Sequence, residues 1–277
     1  MIEIGVYNKL KVLRETSVGW YLGAEDGEDV LLPKKYCPQP FIPGEEMEVF
    51  VYLDKEERKV ATTVRPKILL NQFASLKVSS VTRIGAFLDW GPEKDLLVPF
   101  REQKQTMEEG NSYVVFLGLD KVTGRLYASA KVEKFLDNER LSVQNKEKVS
   151  LLVYKKTELG FSVIINNRHR GLIFNEDVFK DIRVGSSLEG YVKRIRPDGN
   201  IDISLQAIGY NNYNMENSEI IYLKLVENNG FLPVTDKSSP EEIYALFGIS
   251  KKAFKKSVGS LYKQQRIKIE EQGLRLA

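Results

Sequence analysis

Cysteine and histidine are almost absent from this sequence, which has one of each, Cys37 and His169, in 277 residues. A single cysteine excludes an intrachain disulfide framework and a zinc cluster built from cysteines. A single histidine excludes a multi-histidine metal site, and it leaves one candidate for the side chain that most often acts as a general base. We therefore expect no metal site, no cofactor and no catalytic residues.

Long apolar runs are also missing, so no segment approaches the roughly 20 apolar residues that span a bilayer. The N-terminal stretch from Met1 to Gly5 carries an early acid and no apolar core, unlike a signal peptide. The short motifs of nucleotide-binding loops, zinc peptidases, serine hydrolases and dinucleotide-binding folds do not occur in the sequence. These absences predict a cytoplasmic protein that is not an enzyme and does not contact a membrane.

Charge of one sign is not in excess either. The chain has 41 basic and 38 acidic side chains, a net charge of +3, with 42% hydrophobic residues. Such a composition is typical of globular proteins, and the length suggests about two domains. A net charge so close to zero argues mildly against a nucleic-acid binder.

A repeat of about 60 residues is present. Four pairs of landmarks share an offset of 66 residues: Gly19 and Gly85, Pro33 and Pro99, Gly44 and Gly110, and Asp54 and Asp120. A third copy follows with an offset of 75, which relates Gly85 to Gly160 and Gly110 to Gly185, and it has Phe174 in place of the proline. Internal repeats of this kind indicate that one structural unit is used three times.

Each copy reads as five short strands. In the second copy we predict strands at residues 75–81, 85–89, 96–98, 113–119 and 126–130. The glycine in the Thr-x-x-Gly turn permits a tight reversal between the first two strands. Five short strands with a long connection between the third and the fourth are typical of a small barrel of the OB type.

From Glu216 onward the apolar period changes from two to 3.6 residues. A first helix is predicted at Glu219–Asn228, with Ile220, Leu223 and Val226 on its apolar face. Ser239-Pro240 and Ser250 are typical starts of two further helices. The second would pack Ile243, Leu246 and Phe247 inward, and the third Phe254, Val258, Leu261 and Tyr262. A closing hairpin at residues 266–276 completes the pattern of a winged helix-turn-helix, in which the third helix enters a groove.

The repeats resemble a known family. Ile84-Gly85-Ala86-Phe87-Leu88, Leu96-Leu97-Val98-Pro99, Gly110 and Asp120 resemble the RNA-binding repeat named after ribosomal protein S-one. Three such repeats followed by a winged helix resemble the conserved virulence factor B family of Gram-positive bacteria. The resemblance implies RNA binding, an aromatic residue just after the turn glycine, and control of gene expression after transcription, including virulence genes. It also implies a histidine where this chain has Pro33, Pro99 and Phe174, so one usual polar RNA contact is missing here.

The predicted fold class is mainly β and multidomain. We expect three tandem OB-fold barrels of the ribosomal-protein-S-one type at residues 1–64, 73–132 and 146–206. An α+β winged helix-turn-helix domain is expected to follow at residues 216–277.

Counting charge by segment changes the first impression. Residues 1–64 carry a net charge of −4, whereas residues 146–210 carry +3 and residues 251–277 alone carry +6. Attraction of phosphates and release of counterions depend on such local patches and not on the total charge. The charge distribution therefore favours nucleic-acid binding by the C-terminal half of the chain.

Two sets of candidate binding residues follow. The candidates for base stacking are Tyr21 and Phe87, just after the turn glycines, and Phe161, one position earlier in its repeat. Because side chains alternate along a strand, Phe161 could instead belong to the core. The cationic candidates are Lys155, Lys156, Arg168, Arg170, Lys193, Arg194 and Arg196 in the third repeat, and Lys251, Lys252, Lys255, Lys256, Lys263, Arg266 and Lys268 in the C-terminal domain. The lysines of the third helix could also form an ordinary solvated face.

The sequence thus predicts a non-catalytic protein that prefers single-stranded RNA, with a monomer favoured. Two alternatives stay open. One is a transcription regulator that binds duplex DNA through the winged helix, and the other is an adaptor that contacts the ribosome or polymerase through protein surfaces. His169, within Arg168-His169-Arg170, is expected to belong to a basic hairpin and not to a catalytic site.

Overall fold

The computed structural model describes residues 1–37, 41–178, 181–206 and 211–277, with the side chains of 211–216 excepted. The chain forms two compact units, one containing Met1–Leu136 with Val184–Ser186 and the other Asp137–Arg183 with Ser187–Ala277. None of the helices in the described ranges has the length and apolar character needed to cross a membrane.

The first two repeats lie in the first unit. Repeat 1 contains β1 (Tyr7–Glu15), β2 (Gly19–Gly23), β3 (Asp29–Pro33), β4 (Glu46–Leu53) and β5 (Lys59–Thr62), which close into a barrel in the order β1-β2-β3-β5-β4. Repeat 2 contains β6 (Phe73–Val81), β7 (Gly85–Asp89), β8 (Leu96–Pro99), β9 (Ser112–Leu119) and β10 (Leu126–Ser129), in a five-stranded sheet ordered β10-β9-β6-β7-β8. The five predicted strands of this repeat are present, with ends that differ by no more than two residues.

The second unit contains the third repeat. Its strands are β11 (Lys148–Thr157), β12 (Gly160–Ile165), β13 (His169–Phe174), β14 (Ser187–Ile195) and β15 (Ile201–Ser204), and they form a closed barrel with the same order as repeat 1. In all three repeats the long first strand carries a bulge, at Leu13, Ser79 and Tyr154. A bulge bends a strand and increases its local twist, which allows the long first strand to pair with two different strands of a small barrel.

The turn glycine explains the constant spacing between the glycine and the residue opposite it in each repeat. Gly19, Gly85 and Gly160 pair directly with Pro33, Pro99 and Phe174 on the third strand of each repeat. Their φ angles lie between 150° and 154°, and a Cβ atom at any of them would lie within 2.2 Å of a backbone oxygen. Only glycine permits this approach, so the spacing from glycine to the residue opposite it is fixed by the fold.

The C-terminal domain contains α1 (Asn211–Glu227), β16 (Phe231–Leu232), α2 (Pro240–Phe247), α3 (Lys251–Lys263), β17 (Ile267–Glu270) and β18 (Gly273–Leu276). The sheet order is β16-β18-β17. Ser239 caps α2 in a capping box with Glu242, and Ser250 caps α3, so both predicted helix starts are confirmed. The predicted fold class, three barrels of the OB type and a winged helix, is confirmed.

Several predictions about the helices are wrong. The first helix begins at Asn211, eight residues before the predicted start. Its buried apolar residues are Ile221 and Leu225, while the predicted apolar face is exposed: Ile220, Leu223 and Val226 are 38%, 53% and 50% accessible. Leu246 of α2 and Tyr262 of α3 are exposed as well. Apolar residues occur on two sides of α1, and the pattern alone does not say which side meets α3 and β18.

Candidate nucleic-acid interface

The second strand of each repeat presents one side chain at the surface two positions after its turn glycine. Tyr21, Phe87 and Ser162 are half-buried at this position, and the residues before them, Trp20 and Phe161 among them, are buried. Because side chains alternate across a strand, residues next to each other face opposite sides of the barrel wall. The predicted stacking positions Tyr21 and Phe87 are therefore on the outer side of the wall.

Phe161 requires a correction. This ring is 8% exposed and packs in the core of the third barrel with Val153, Ile173 and Val192. The residue directly after Gly160 points inward, as Trp20 does after Gly19, so the outward position in this repeat belongs to Ser162. The third repeat thus offers no aromatic ring at the place where the first two repeats offer one.

The residue that pairs with this position on the first strand differs among the three repeats. Arg14 pairs in register with Tyr21, Ser80 with Phe87 and Lys155 with Ser162. The guanidinium of Arg14 lies over the Tyr21 ring at 4.4 Å from its centroid. In repeat 3 the aromatic side chain is replaced by Ser162, and the exposed Lys155 lies opposite it on the first strand.

The predicted binding cations of the third repeat divide into two groups. Arg168, Lys193 and Arg196 form ion pairs with Asp137, Asp177 and Asp202 at 3.2, 2.5 and 2.9 Å. The hydrogen bond to Asp202 raises the pKa of Arg196, which also lies over the ring of Phe174. These three side chains are held by their own barrel, which makes them poorer partners for an external phosphate.

The remaining predicted binding cations of this repeat are exposed: Lys155, Lys156, Arg170 and Arg194. Lys156 lies 5.7 Å from the centroid of the buried Phe161 ring, so its aliphatic stem covers this part of the core. Arg170 extends toward the side-chain oxygen of Asn200, 3.5 Å away. In the described part of the chain no carboxylate lies within ion-pair distance of these four cations, so they are free to contact an external phosphate.

The third helix of the C-terminal domain separates apolar and basic sides. Phe254, Val258 and Leu261 are buried, whereas Lys252, Lys255, Lys256 and Lys263 are exposed and Lys251 is half-buried. Lys255 has a carboxylate near it, that of Asp236 at 3.7 Å. A helix with this distribution presents most of its positive charge to solvent, at the position that enters a groove in winged-helix proteins.

The last two predicted binding cations, Arg266 and Lys268, lie at the closing hairpin and differ in their surroundings. Arg266 bonds both carboxylate oxygens of Glu219 at 3.0 and 3.4 Å, and it lies 3.8 Å from the centroid of the Tyr222 ring. The bond to Glu219 raises the pKa of Arg266. Its position ties α1 to β17, whereas Lys268 is exposed on β17.

His169 is buried in the third repeat and serves its structure. Its Nδ1 contacts the carbonyl oxygen of Asp137, while its Nε2 accepts a hydrogen bond from the Ser142 N–H at 3.1 Å and lies 2.7 Å from the Ser142 Oγ. These contacts assign the proton of a neutral imidazole to Nδ1. The side chain anchors the segment before β11 to the barrel, and both ring nitrogens are occupied.

Cys37 is a half-buried residue of repeat 1, and its thiol lies near the carbonyl oxygens of Leu32 and Pro33. Partial burial raises the pKa of the Cys37 thiol, which keeps it in its unreactive protonated form. Among the described residues, no group of three His, Cys, Asp or Glu side chains is arranged to hold a metal ion.

The sequence matches two family models. Residues 4–64 and 72–131 match the S1 domain, and residues 219–276 match the CvfB-like winged helix domain. These matches place an S1 domain in each of the first two repeats and agree with the topology seen there.

The chain is also similar to curated bacterial proteins over most of its length. It is 29% identical to the uncharacterized protein YitL of Bacillus subtilis, over 93% of this chain and 88% of that protein. It is 27% identical to the conserved virulence factor B of Staphylococcus epidermidis, over 96% of this chain and 92% of that protein. A solved structure of a multidomain protein with nucleic acid binding domains from Streptococcus pneumoniae is 24% identical, with a TM-score of 0.44, over 99% of this chain and 98% of that one.

Proposed function

This chain belongs to the conserved virulence factor B family, and on that premise we propose that it is a non-catalytic protein of the cytoplasm that binds single-stranded RNA. Its S1 and winged-helix domains are of nucleic-acid-binding type. We propose further that it regulates gene expression after transcription, including genes of virulence, in keeping with the name of its relatives.

The exposed lysines of α3 carry this proposal. Lys252, Lys256 and Lys263 project from the side of the helix opposite the buried Phe254 and Leu261. Lysines that neutralise phosphates release the counterions condensed on the nucleic acid, and this release supplies much of the binding free energy. Residues 251–277, which contain α3 and the closing hairpin, carry a net charge of +6.

The third repeat is proposed to bind phosphates of the nucleic acid in the same way. Its accessible cations include Lys155, Lys156, Arg170 and Arg194, and Lys155 lies opposite Ser162, the position at which the other repeats hold an aromatic ring. The backbone of a single strand would be bound by such cations, and bases would stack on Tyr21 and Phe87. A single-stranded nucleic acid suits such a surface because its unpaired bases are free to stack on aromatic rings while its backbone contacts the cations.

A salt series tests the electrostatic part of the proposal. Binding of a fluorescent oligouridine to the full chain should weaken with a log–log slope of about −0.7 per phosphate contacted. Six contacts would give a slope of about −4, measured by fluorescence anisotropy. A slope near zero would contradict the proposal, because it would mean that the basic surfaces do not take part in binding.

Duplex DNA is the second candidate ligand. The observation that favours it is the position of α3, since the corresponding helix of winged-helix proteins enters the major groove. The exposed lysines would then contact the phosphates on either side of that groove. A direct competition between the two nucleic acids separates these functions.

A further inference from the structure

The first two repeats are packed together as one body within the first unit. Phe50 and Tyr52 of β4 belong to the same apolar core as Trp90 of repeat 2, with ring centroids 5.5 and 6.1 Å from that of Trp90. The connecting segment is fixed to both repeats, because the Lys67 N–H bonds the Trp90 carbonyl at 2.7 Å and the Leu70 N–H bonds the Gly5 carbonyl at 2.8 Å. A surface formed by both repeats therefore has a defined shape.

A groove of about 280 Å³ lies on this body where the two repeats meet. Its apolar part is formed by Phe87 with Ile84 and Leu97, and Phe87 pairs in register with Leu97 on the neighbouring strand. Ile84 is 60% exposed. The volume lies just below the roughly 300–1,000 Å³ of pockets for drug-sized ligands, so the groove suits a single planar ring system better than a dinucleotide.

Cations from both repeats line the same groove. Repeat 1 supplies Lys55, and repeat 2 supplies Lys94 and Arg125, against the carboxylates of Glu57 and Asp95. The ammonium of Lys94 bonds the carbonyl oxygen of Asp54 at 2.7 Å, while the guanidinium of Arg125 forms an ion pair with Glu57. An aromatic ring flanked by cations is the chemistry that holds a base together with its phosphate.

Glu57 has an unusual backbone conformation for its residue type. Its φ of 65° is left-handed, and the corresponding positions in the last hairpins of repeats 2 and 3 are occupied by Gly124 and Gly199, with φ of 67° and 77°. Each residue lies in the turn between the fourth and fifth strand of its repeat. Repeat 1 thus has a charged side chain where glycine is favoured, and its carboxylate is bonded to the neighbouring repeat's Arg125.

We propose that this inter-repeat groove binds one nucleotide of a single-stranded nucleic acid, with the base on Phe87 and its phosphate bound by Arg125 and Lys55 in competition with Glu57. The proposal rests on the proposed function and adds a phosphate site beside the Phe87 ring, away from the C-terminal half of the chain. It gives repeat 1 a role despite its net charge of −4. Glu57 lowers the affinity of the groove, because a phosphate must displace its carboxylate before Arg125 is available.

Glu57→Gln tests this competition in the full chain, with Glu56→Gln as its matched control. Both substitutions remove one negative charge from the same turn, but the Glu56 carboxylate bonds Arg58 of its own hairpin at 3.1 Å and not Arg125. We expect Glu57→Gln to tighten binding of a thiouridine-containing oligonucleotide about twofold to fivefold, the worth of an exposed ion pair. Glu56→Gln should stay near the wild-type affinity. Phe87→Leu, which keeps an apolar side chain, should weaken binding about tenfold through loss of base stacking.

Photocross-linking of the same oligonucleotide identifies the site directly. Peptides that contain Phe87 should be labelled in the wild type, more strongly in Glu57→Gln and weakly in Phe87→Leu. Binding with no label in this groove, together with equal affinities of the two glutamine variants, would overturn the groove proposal and leave RNA binding by the cations of the C-terminal half standing. If the wild-type protein does not bind the oligonucleotide at all, both the groove proposal and the proposed function are refuted.

Discussion

Replacing Lys251, Lys252, Lys255 and Lys256 together by alanine is expected to weaken binding of single-stranded RNA about 100-fold at physiological salt. Three of these side chains are exposed on α3 and the fourth is half-buried, so their loss removes charge without opening the core formed by Phe254 and Val258. The log–log salt slope should become less steep by about 3, since each lost phosphate contact contributes about 0.7. Anisotropy titrations at several salt concentrations measure both quantities.

A matched control removes the same charge elsewhere. Lys9, Lys11, Lys34 and Lys121 are exposed lysines of the first two repeats that lie outside the proposed contacts. Their combined replacement by alanine should change the affinity only slightly. Equal losses in the two quadruple variants would mean that net charge alone governs binding, and unchanged affinity in the α3 variant would make its lysines a solvated face.

Gly85→Ala is expected to destabilise repeat 2 by about 4 kcal/mol or more, at the severe end of single substitutions. The added Cβ would lie 2.2 Å from the carbonyl oxygen of Val98 and 3.0 Å from the Cα of Pro99, both backbone atoms that cannot turn aside. The residue also has a φ of 151°, and its carbonyl accepts hydrogen bonds from the backbone and hydroxyl of Thr82. Relief of the clash would separate β7 from β8.

Gly110→Ala separates the clash from backbone strain. Gly110 belongs to the same repeat and has a left-handed φ of 83°, but a Cβ there would meet no atom within 4 Å. Its replacement should cost about 1 kcal/mol, the usual penalty of a side chain in this conformation. Hydrogen exchange of the β7 and β8 amides measures both variants. Similar protection in the two would contradict the role given to the close approach at Gly85.

The same glycines explain why the fold was predictable. Each is required by a contact between two backbones, so its spacing to the residue opposite persists even where that residue changes from Pro33 to Phe174. The strands follow from alternation, and the helix starts follow from the Ser239 and Ser250 caps. Features set by local chemistry could be derived from the sequence.

The candidate site was less predictable because side-chain direction depends on single-residue register. Phe161 differs from Ser162 by one position, and one position separates the core from the surface of a strand. On α1, Ile220 and Ile221 are equally apolar, and only packing against α3 and β18 decides which is buried. The groove at Phe87 was missed for a related reason. Its cations come from two repeats and meet only because Tyr52 and Trp90 join the two cores.

The most direct test of a preference for single-stranded RNA is a competition in which labelled oligouridine bound to the full chain is displaced by unlabelled oligouridine or by duplex DNA of equal length. The measurement is made at physiological ionic strength, because at low salt phosphate attraction alone would hold either nucleic acid. If the protein is a single-strand RNA binder, duplex DNA should need at least about tenfold higher concentration for half displacement, since a duplex keeps its bases stacked away from Tyr21 and Phe87. Displacement by duplex DNA at equal or lower concentration would contradict the account and identify the winged helix as a reader of duplex DNA.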